Sequence, residues 1–174
     1  GGSGFTVKNR TPAEITHFVV HTAAGNRQTA GGDSFAKMEK QASTHYGINQ
    51  GGWVFQFVHE KDVAWGQGLT DPRRNGGWGL TCQDKVIEPT SLLNGGGLSV
   101  EISGIPKEEA ASPGTAYNDA VYENLAFLIA NCCHRNQIPV DRQHIFGHDE
   151  LTISRSDPGT ALHLPYPDGI SYPM

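Results

Sequence analysis

Cysteine is scarce in this sequence of 174 residues, which contains only three. Three thiols cannot all pair within one chain, and two of them, Cys132 and Cys133, are adjacent. We therefore predict that the cysteines are reduced. We also predict that Cys132 and Cys133 belong to a helix and are not metal ligands.

Long apolar runs and clusters of basic residues are absent as well. No apolar stretch approaches the roughly 20 residues that a membrane-spanning helix requires, so we predict no membrane insertion. No run of Lys and Arg exceeds the pair Arg73-Arg74, and the formal net charge is −5. Proteins that bind nucleic acids normally present a basic face, and this composition therefore argues against that class of function. No signal peptide is visible either.

What remains is the composition of a globular protein. Charged residues make up 18% of the chain and hydrophobic residues 37%, without the charge excess of a disordered chain. The length predicts one domain, and the 22 Gly and 10 Pro predict many tight turns. We assign residues 1–4 to a linker or cloning scar and residues 5–163 to the folded domain. Residues 164–174 form a linker-like tail, typical of the start of a connection to a further domain.

The apolar pattern predicts alternating strands and helices. Strands are expected over 15–22, 45–49, 53–58, 98–103 and 143–147, and helices over 34–41 and 117–135. Gln50-Gly51-Gly52 supplies the turn of a hairpin between the second and third strands. Residues 66–97 are rich in glycine and lack periodicity, which predicts a long surface insertion that forms one wall of a groove.

Two histidines and a carboxylate are candidates for holding a metal ion. His148 follows a glycine, Asp157 begins the segment Asp-Pro-Gly nine positions later, and His21 ends an apolar run. Three nitrogen and oxygen ligands with a vacant fourth position are typical of a catalytic zinc site. Taken singly, each has a commoner interpretation, since a histidine after a strand is usually a packed residue and Asp-Pro-Gly is usually a turn.

Six segments, taken in order, decide between these interpretations. They are Val19-Val20-His21-Thr22, Gln41 to Ile48, Gln50-Gly51-Gly52, Val58 to Trp65, Leu98 to Ile102, and Gly147 to Gly159. Together they resemble the motifs of the type 2 N-acetylmuramoyl-L-alanine amidases, which share their fold with peptidoglycan recognition proteins and T7-type lysozyme. The resemblance covers roughly residues 15–160. It departs from the family pattern at Gly66, where His is common, and at Arg155, where Lys or His is common.

This resemblance implies an α/β fold, with a central mixed β-sheet flanked by helices and a Zn²⁺ site in a cleft at the sheet's edge. The implied zinc ligands are His21, His148 and Asp157. Glu101 would act as the general base that moves a proton from water to the leaving nitrogen. Arg155 would stabilise the oxyanion that forms on the amide carbonyl. A solvent-facing strand residue is the alternative for Glu101, and an ordinary surface residue is the alternative for Arg155.

Tyr46 is predicted as a further catalytic residue, and Trp65 and His45 as substrate-binding residues. Alternation along the strand puts His45 and Tyr46 on opposite faces, so at most one of them readily points into the site. The alternatives are a core aromatic for Tyr46 and a cap on the core for Trp65. For His45 they are a residue that hydrogen-bonds to a metal ligand and a hydrogen-bonded interior residue. His17 precedes His21 by four residues, points to the same side of the strand and is easily mistaken for a ligand.

The implied function is a zinc-dependent amidase that hydrolyses the bond between N-acetylmuramic acid and L-Ala of the peptidoglycan stem peptide. Its expected partner is bacterial peptidoglycan or muropeptides, and we expect a monomer that acts on the cell wall, as a phage endolysin catalytic domain does. Without a visible signal peptide, release during phage lysis or export by another route is expected. The alternatives are a non-catalytic peptidoglycan-binding module, a cytoplasmic muropeptide-recycling amidase, an exported autolysin or effector, and an unrelated zinc hydrolase of small amides.

Overall fold

Seven strands and one long helix make up most of the regular secondary structure in the part of the chain that the structure describes. The computed structural model describes residues 4–23, 43–66, 93–104 and 116–148. Within these ranges the strands are β1 (Phe5–Thr6), β2 (His17–Thr22), β3 (Tyr46–Ile48), β4 (Val54–Gln56), β5 (Val63–Ala64), β6 (Gly97–Ile102) and β7 (Ile145–Gly147). The helices are a 3-10 turn (Pro12–Glu14), α1 (Leu93–Gly96) and α2 (Asp119–Asn136).

Five of these strands form a mixed sheet in the order β4-β3-β6-β2-β7. The pairs β3–β6, β6–β2 and β2–β7 are parallel, whereas β3 and β4 form an antiparallel pair. Strands β1 and β5 form a separate two-stranded antiparallel sheet. The predicted α/β class with a central mixed sheet is therefore confirmed.

The two central strands are buried on both faces. All six residues of β6 and the first five of β2 are buried, including the polar side chains of His21, Ser99 and Glu101. The sequence of β6 alternates between apolar and polar residues, which alone predicts a half-exposed strand. In the structure β6 lies between β3 and β2, and its polar residues Ser99 and Glu101 are buried as well.

One face of the sheet packs against α2 and forms the hydrophobic core. Each fully buried Val or Leu side chain in such a core contributes about 1.5–3 kcal/mol relative to an exposed one. The helix contributes Val121, Leu125, Leu128, Cys132 and Cys133, and the sheet contributes Phe18, Val20, Tyr46, Ile48, Leu98, Val100 and Ile102. Both cysteines are free and buried, which confirms their prediction as helix residues.

The ends of α2 have clear local causes. The side chain of Asn118 accepts a hydrogen bond from the backbone N–H of Val121 and caps the first turn. At the other end Gln137 adopts a left-handed conformation with φ of 59° and donates its N–H to the carbonyl of Cys133. Pro139 follows shortly afterwards, as it commonly does after a helix. The helix prediction over 117–135 was therefore close at both ends.

The hairpin between β3 and β4 also forms where it was predicted. Gly52 has a φ of 79°, which L-residues with a side chain rarely adopt. The side-chain oxygen of Asn49 accepts hydrogen bonds from the N–H groups of Gly51 and Trp53 and fixes the turn.

Other predictions reach beyond the described residues. The proposed helix over 34–41 lies outside them, as do the tail 164–174 and the first three residues of the linker assignment 1–4. Gly4 is described, and it is buried with its carbonyl accepting a hydrogen bond from the hydroxyl of Ser43, so it does not behave as a linker residue. Of the glycine-rich stretch 66–97, the described part contains Gly66, α1 and the first residue of β6. No helix within the described ranges is long and apolar enough to cross a membrane.

Candidate functional site

A row of chemically active side chains crosses the sheet face opposite α2. His21 of β2 is the register partner of Glu101 in β6, and Glu101 is in turn the partner of Gly47 in β3. On the other side of β2, Val20 is paired with Gly147, so His148 follows at the level of His21. In parallel sheets ligands bind beyond the carboxyl ends of the strands, which is where His21 and His148 lie.

The two histidines of this row are close together and shielded from solvent. The ring centroids of His21 and His148 are 4.3 Å apart, and the ring planes are inclined by 58°. The residues are only 2% and 3% exposed. The structure thus brings together two of the three predicted metal ligands, which are 127 positions apart in the chain.

Glu101 is buried next to them. It is 8% exposed, although it lies on the polar side of an alternating strand. The alternative interpretation, a solvent-facing strand residue, does not fit this position. A carboxylate beside two imidazoles at the end of a sheet can accept a proton from a reacting group, provided that substrate reaches it.

The chemistry of this donor set fits zinc. Zinc is bound in hydrolases by imidazole nitrogens and carboxylate oxygens, with one position left for water or substrate. Within the described residues no group of three His, Cys, Asp or Glu side chains is arranged to hold a metal ion. The third predicted ligand, Asp157, and the predicted oxyanion partner, Arg155, lie outside the described residues.

His45 lies on the same face of the sheet, but its ring is inside the fold. It is 1% exposed, and its Nδ1 accepts a hydrogen bond of 3.1 Å from the backbone N–H of Ser99. The proton is then on Nε2, which donates to the carbonyl of Asp62 at 3.0 Å. Because both ring nitrogens bond to the protein, these contacts do not support the predicted binding of substrate, and that role stays a prediction. They instead attach His45 to β6 at Ser99, which lies two residues before Glu101.

Arg10 completes the surroundings of His45. Its buried guanidinium donates to the carbonyls of Gly95, Gly97, Glu60 and Asp62, and its Nη2 lies 3.1 Å from Nε2 of His45. The pKa of His45 is lowered to about 4, chiefly by burial of the ring and also by the positive charge of Arg10. Burial also lowers the pKa of Arg10, to about 10. His45 is therefore neutral at pH 7 and Arg10 is charged.

Tyr46 lies on the opposite face of the sheet, among the residues that pack against α2. Its hydroxyl donates to Oε1 of Glu60 at 2.6 Å and accepts from Nε2 of Gln56. Burial and the bond to Glu60 raise the pKa of Tyr46, which keeps the hydroxyl protonated. This position argues against the predicted catalytic role, because the sheet separates the hydroxyl from Glu101 and His21.

Glu60 is the centre of a polar cluster on that second face. Its carboxylate accepts from Tyr46, from Nη2 of Arg135 at 2.6 Å, from Asn136 at 2.8 Å and from the thiol of Cys132. Burial of the carboxylate opposes ionisation, but these hydrogen bonds outweigh it and lower the pKa of Glu60 to about 2. The cluster ties the segment after β4 to the end of α2.

Trp65 and Gly66 lie at the end of β5. Trp65 is 42% exposed, and its indole N–H donates to the hydroxyl of Thr6 at 3.0 Å, so it does not cap the core. A Cβ on Gly66 would lie 2.7 Å from the carbonyl oxygen of Ser43 and 3.4 Å from Oγ of Ser99. The family's histidine therefore has no room at this position unless the neighbouring backbone shifts.

His17 has the orientation that the sequence predicted but a different environment from His21. It is 1% exposed, its ring stacks on Phe146 with centroids 5.7 Å apart, and its Nδ1 is 3.0 Å from the hydroxyl of Thr16. It lies at the opposite end of β2 from His21. Arg10 has no signal in the sequence, because a single arginine before a strand belongs to no motif.

Solved structures share this fold. AmpD is 18% identical over 91% of this chain and 85% of its own, with a TM-score of 0.59. AmiD from E. coli, solved with its substrate anhydro-N-acetylmuramic acid-L-Ala-D-gamma-Glu-L-Lys, is 18% identical over 91% of this chain and 62% of its own, with a TM-score of 0.62. The Ph2119 endolysin from a Thermus scotoductus MAT2119 bacteriophage is 16% identical over 91% and 84%, with a TM-score of 0.55.

No curated protein sequence matches the chain. The family model described as N-acetylmuramoyl-L-alanine amidase, in contrast, matches residues 11–160, which include His21, Glu101, His148 and Asp157. The resemblance predicted from the motifs is confirmed by this match. The chain therefore belongs to the N-acetylmuramoyl-L-alanine amidase family.

Proposed function

We propose that this protein is a zinc-dependent amidase that hydrolyses the bond between N-acetylmuramic acid and the L-Ala of the peptidoglycan stem peptide. The observation that carries the proposal is the row of Glu101, His21 and His148 on one face of the sheet, with its two imidazoles 4.3 Å apart. Membership of the amidase family supplies the reaction class. AmiD, which has the same fold, was solved with a muropeptide substrate.

In this proposal His21, His148 and Asp157 hold the zinc ion. Bound zinc polarises a carbonyl oxygen and lowers the pKa of water to about 7. His21 belongs to β2 and His148 directly follows the adjacent parallel strand β7, and burial of both residues restricts their side chains before substrate arrives. Asp157 is assigned from its motif alone.

Glu101 is the group that accepts and transfers the proton. As water adds to the amide carbonyl, the Glu101 carboxylate accepts a proton from that water. It then passes the proton to the leaving nitrogen, so that the carbon–nitrogen bond breaks into a lactyl carboxylate and a free L-Ala amine. Burial of Glu101 at 8% exposure favours this exchange, because it limits competition from bulk solvent. Arg155 would stabilise the negative charge on the carbonyl oxygen, and Tyr46 takes no part.

The biological setting that we propose is lysis of the bacterial cell wall by a monomer, as an endolysin catalytic domain performs it. The fold shared with the Ph2119 endolysin supports this setting, and the fold shared with AmpD and AmiD leaves muropeptides as a second form of the same substrate. Release during phage lysis, or export by another route, would bring the protein to the wall.

The test is incubation of the purified protein with peptidoglycan, with and without a zinc chelator. New L-Ala amino termini and new reducing sugar ends are measured side by side. We expect release of L-Ala termini alone, abolished by the chelator and restored by added zinc. Binding to peptidoglycan without any cleavage would contradict the proposal and identify a non-catalytic binding module. Cleavage that is insensitive to the chelator would remove zinc from the mechanism.

A further inference from the structure

Three aromatic side chains form a stripe along the edge strand β4. Phe55 belongs to β4, and Trp53 and Phe57 flank it. Pairing with the neighbouring chain continues at both positions, since Asn49 donates its N–H to the carbonyl of Trp53 and Phe57 donates its N–H to the carbonyl of His45. The alternation therefore extends over residues 53–57, and the three rings point to one face of the sheet. Trp53 is 72% exposed and Phe57 is 37% exposed. The rings of Phe55 and Phe57 are stacked, with centroids 6.3 Å apart and planes inclined by 16°. Contiguous exposed apolar groups often mark a binding surface, whereas single ones do not.

The aromatic stripe lies on the same face as the candidate catalytic row. In the register of the sheet, Phe55 pairs with Gly47, Gly47 pairs with Glu101, and Glu101 pairs with His21. Neighbouring strands are about 4.8 Å apart, so Phe55 lies about 10 Å from Glu101 and about 14 Å from His21 along this row. Gly47, which lies between Phe55 and Glu101, has no side chain that would separate them. A substrate of several units can span this distance, whereas a small amide cannot.

The turn beneath Trp53 holds its indole in place. A Cβ on Gly51 would lie 3.0 Å from Cδ1 and 3.4 Å from Nε1 of Trp53, so the ring rests against the bare backbone of that glycine. The backbone N–H of Trp53 is bound by the side chain of Asn49 at 3.0 Å. A ring held in this way loses little conformational entropy when a ligand stacks on it.

We propose that Trp53, Phe55 and Phe57 form a subsite for sugar rings of the peptidoglycan glycan strand, beyond the muramic acid that carries the scissile bond. This inference rests on the proposed function. A pyranose ring presents a neutral face of C–H groups, which complements the electron-rich face of an aromatic ring. The stem peptide is a poorer fit, because it carries charged groups and residues 53–57 contain none.

The first measurement is binding of peptide-free glycan strands to the intact protein by calorimetry. Trp53→Ala is compared with Phe127→Ala, which removes an aromatic ring that is 70% exposed on α2, behind the opposite face of the sheet. We expect Trp53→Ala to weaken binding about 3- to 10-fold and Phe127→Ala to leave it unchanged. Absence of glycan binding by the unmodified protein, or equal binding by Trp53→Ala, would overturn the subsite.

The second measurement compares cleavage of three substrates by the same variants. One carries a tripeptide on a single muramic acid, one carries the same tripeptide on a four-sugar glycan, and one carries a longer peptide on a single sugar. We expect Trp53→Ala to lower the ratio of kcat/KM for the long glycan to that for the single sugar about 3- to 10-fold. A loss of kcat/KM in Trp53→Ala that depends on the length of the peptide and not on the length of the glycan would overturn the sugar assignment. Failure of the proposed function would differ from both results, since the unmodified protein would then bind glycan and release no L-Ala termini.

Discussion

The imidazole rings of His21 and His148 lie 4.3 Å apart at the ends of two adjacent parallel strands. Neither ring is more than 3% exposed, and the carboxylate of Glu101 is carried by the strand on the other side of His21. This arrangement brings residues from three separate sequence motifs together in one candidate site. It also separates them from His17, His45 and Tyr46, which have defined contacts elsewhere.

The ligand assignment predicts which histidine variants lose zinc. We expect His21→Ala and His148→Ala to weaken zinc binding by more than about 100-fold, since even the loss of an outer partner of a ligand costs about 10- to 100-fold. His17→Gln is the control, because His17 belongs to the same strand but stacks on Phe146. Zinc content is measured by atomic absorption and folding by circular dichroism. Full zinc occupancy in a folded His21→Ala protein would remove His21 from the ligand set.

The proton-transfer role of Glu101 predicts a loss of turnover without a loss of metal. Glu101→Gln keeps the size of the side chain but cannot accept the proton, so we expect kcat to fall by about 10²- to 10⁴-fold while zinc content stays unchanged. Glu123→Gln makes the same chemical change at an exposed position on α2 and should have no effect. A normal kcat in Glu101→Gln would assign the base to another group.

The position of Tyr46 predicts a structural effect only. Tyr46→Phe removes the hydroxyl that donates to the ionised carboxylate of Glu60, so we expect the free energy of unfolding to fall by about 1.5–3 kcal/mol. The value of kcat should stay within about twofold, measured on the same muropeptide as for Glu101→Gln. A hundredfold fall in kcat with unchanged stability would return Tyr46 to the catalytic set.

The environment of His45 predicts acid sensitivity of the fold. A histidine in the unfolded chain takes up its proton near pH 6.5, whereas His45 in the folded protein does so only near pH 4. The unfolded state therefore binds more protons within this window, and the free energy of unfolding falls as the pH falls through it. The free energy of unfolding falls by about 3 kcal/mol in total, and about 2 kcal/mol of this is lost by pH 5.

This acid effect is measured by urea denaturation at pH 7, 6 and 5. His45→Gln is the comparison, since it removes the titrating group and should show a shallower decline even if it is less stable at pH 7. Glu60, whose lowered pKa lies near 2, loses its contribution only below about pH 4.5 and does not interfere. Parallel declines in the two proteins would show that His45 is not the source.

The close packing at Gly66 predicts that this position does not accept the residue common in the family. Gly66→Ala and Gly66→His both place a Cβ 2.7 Å from the carbonyl oxygen of Ser43, so we expect each to lower the free energy of unfolding by about 1–3 kcal/mol. Thermal unfolding of both variants measures this loss. Stability equal to that of the unmodified protein would mean that the backbone of residues 43–44 moves at little cost.

By itself the sequence determined the class of the fold, the elements near the candidate site and the residues that we propose as its donors. The apolar alternation of residues 98–102, the helical stripe over 117–135 and the glycine turn at residues 51–52 each depend on neighbours that are close in the chain. Such local patterns are visible in a sequence because the period of the side chains fixes the element. The proposed donors His21, Glu101 and His148 were recognisable because each lies within or directly after a predicted strand and belongs to a family motif.

Only the tertiary structure decided what surrounds each donor. Burial of Glu101 depends on the placement of β6 in the middle of the sheet. The neutral state of His45 depends chiefly on burial of its ring, to which the charge of Arg10, 35 positions away, adds. The sheet also decided that Tyr46 faces α2 while Phe55 lies in line with Glu101. These relationships join strands that are distant in the chain, and pairing and register between such strands are set by packing of the whole core.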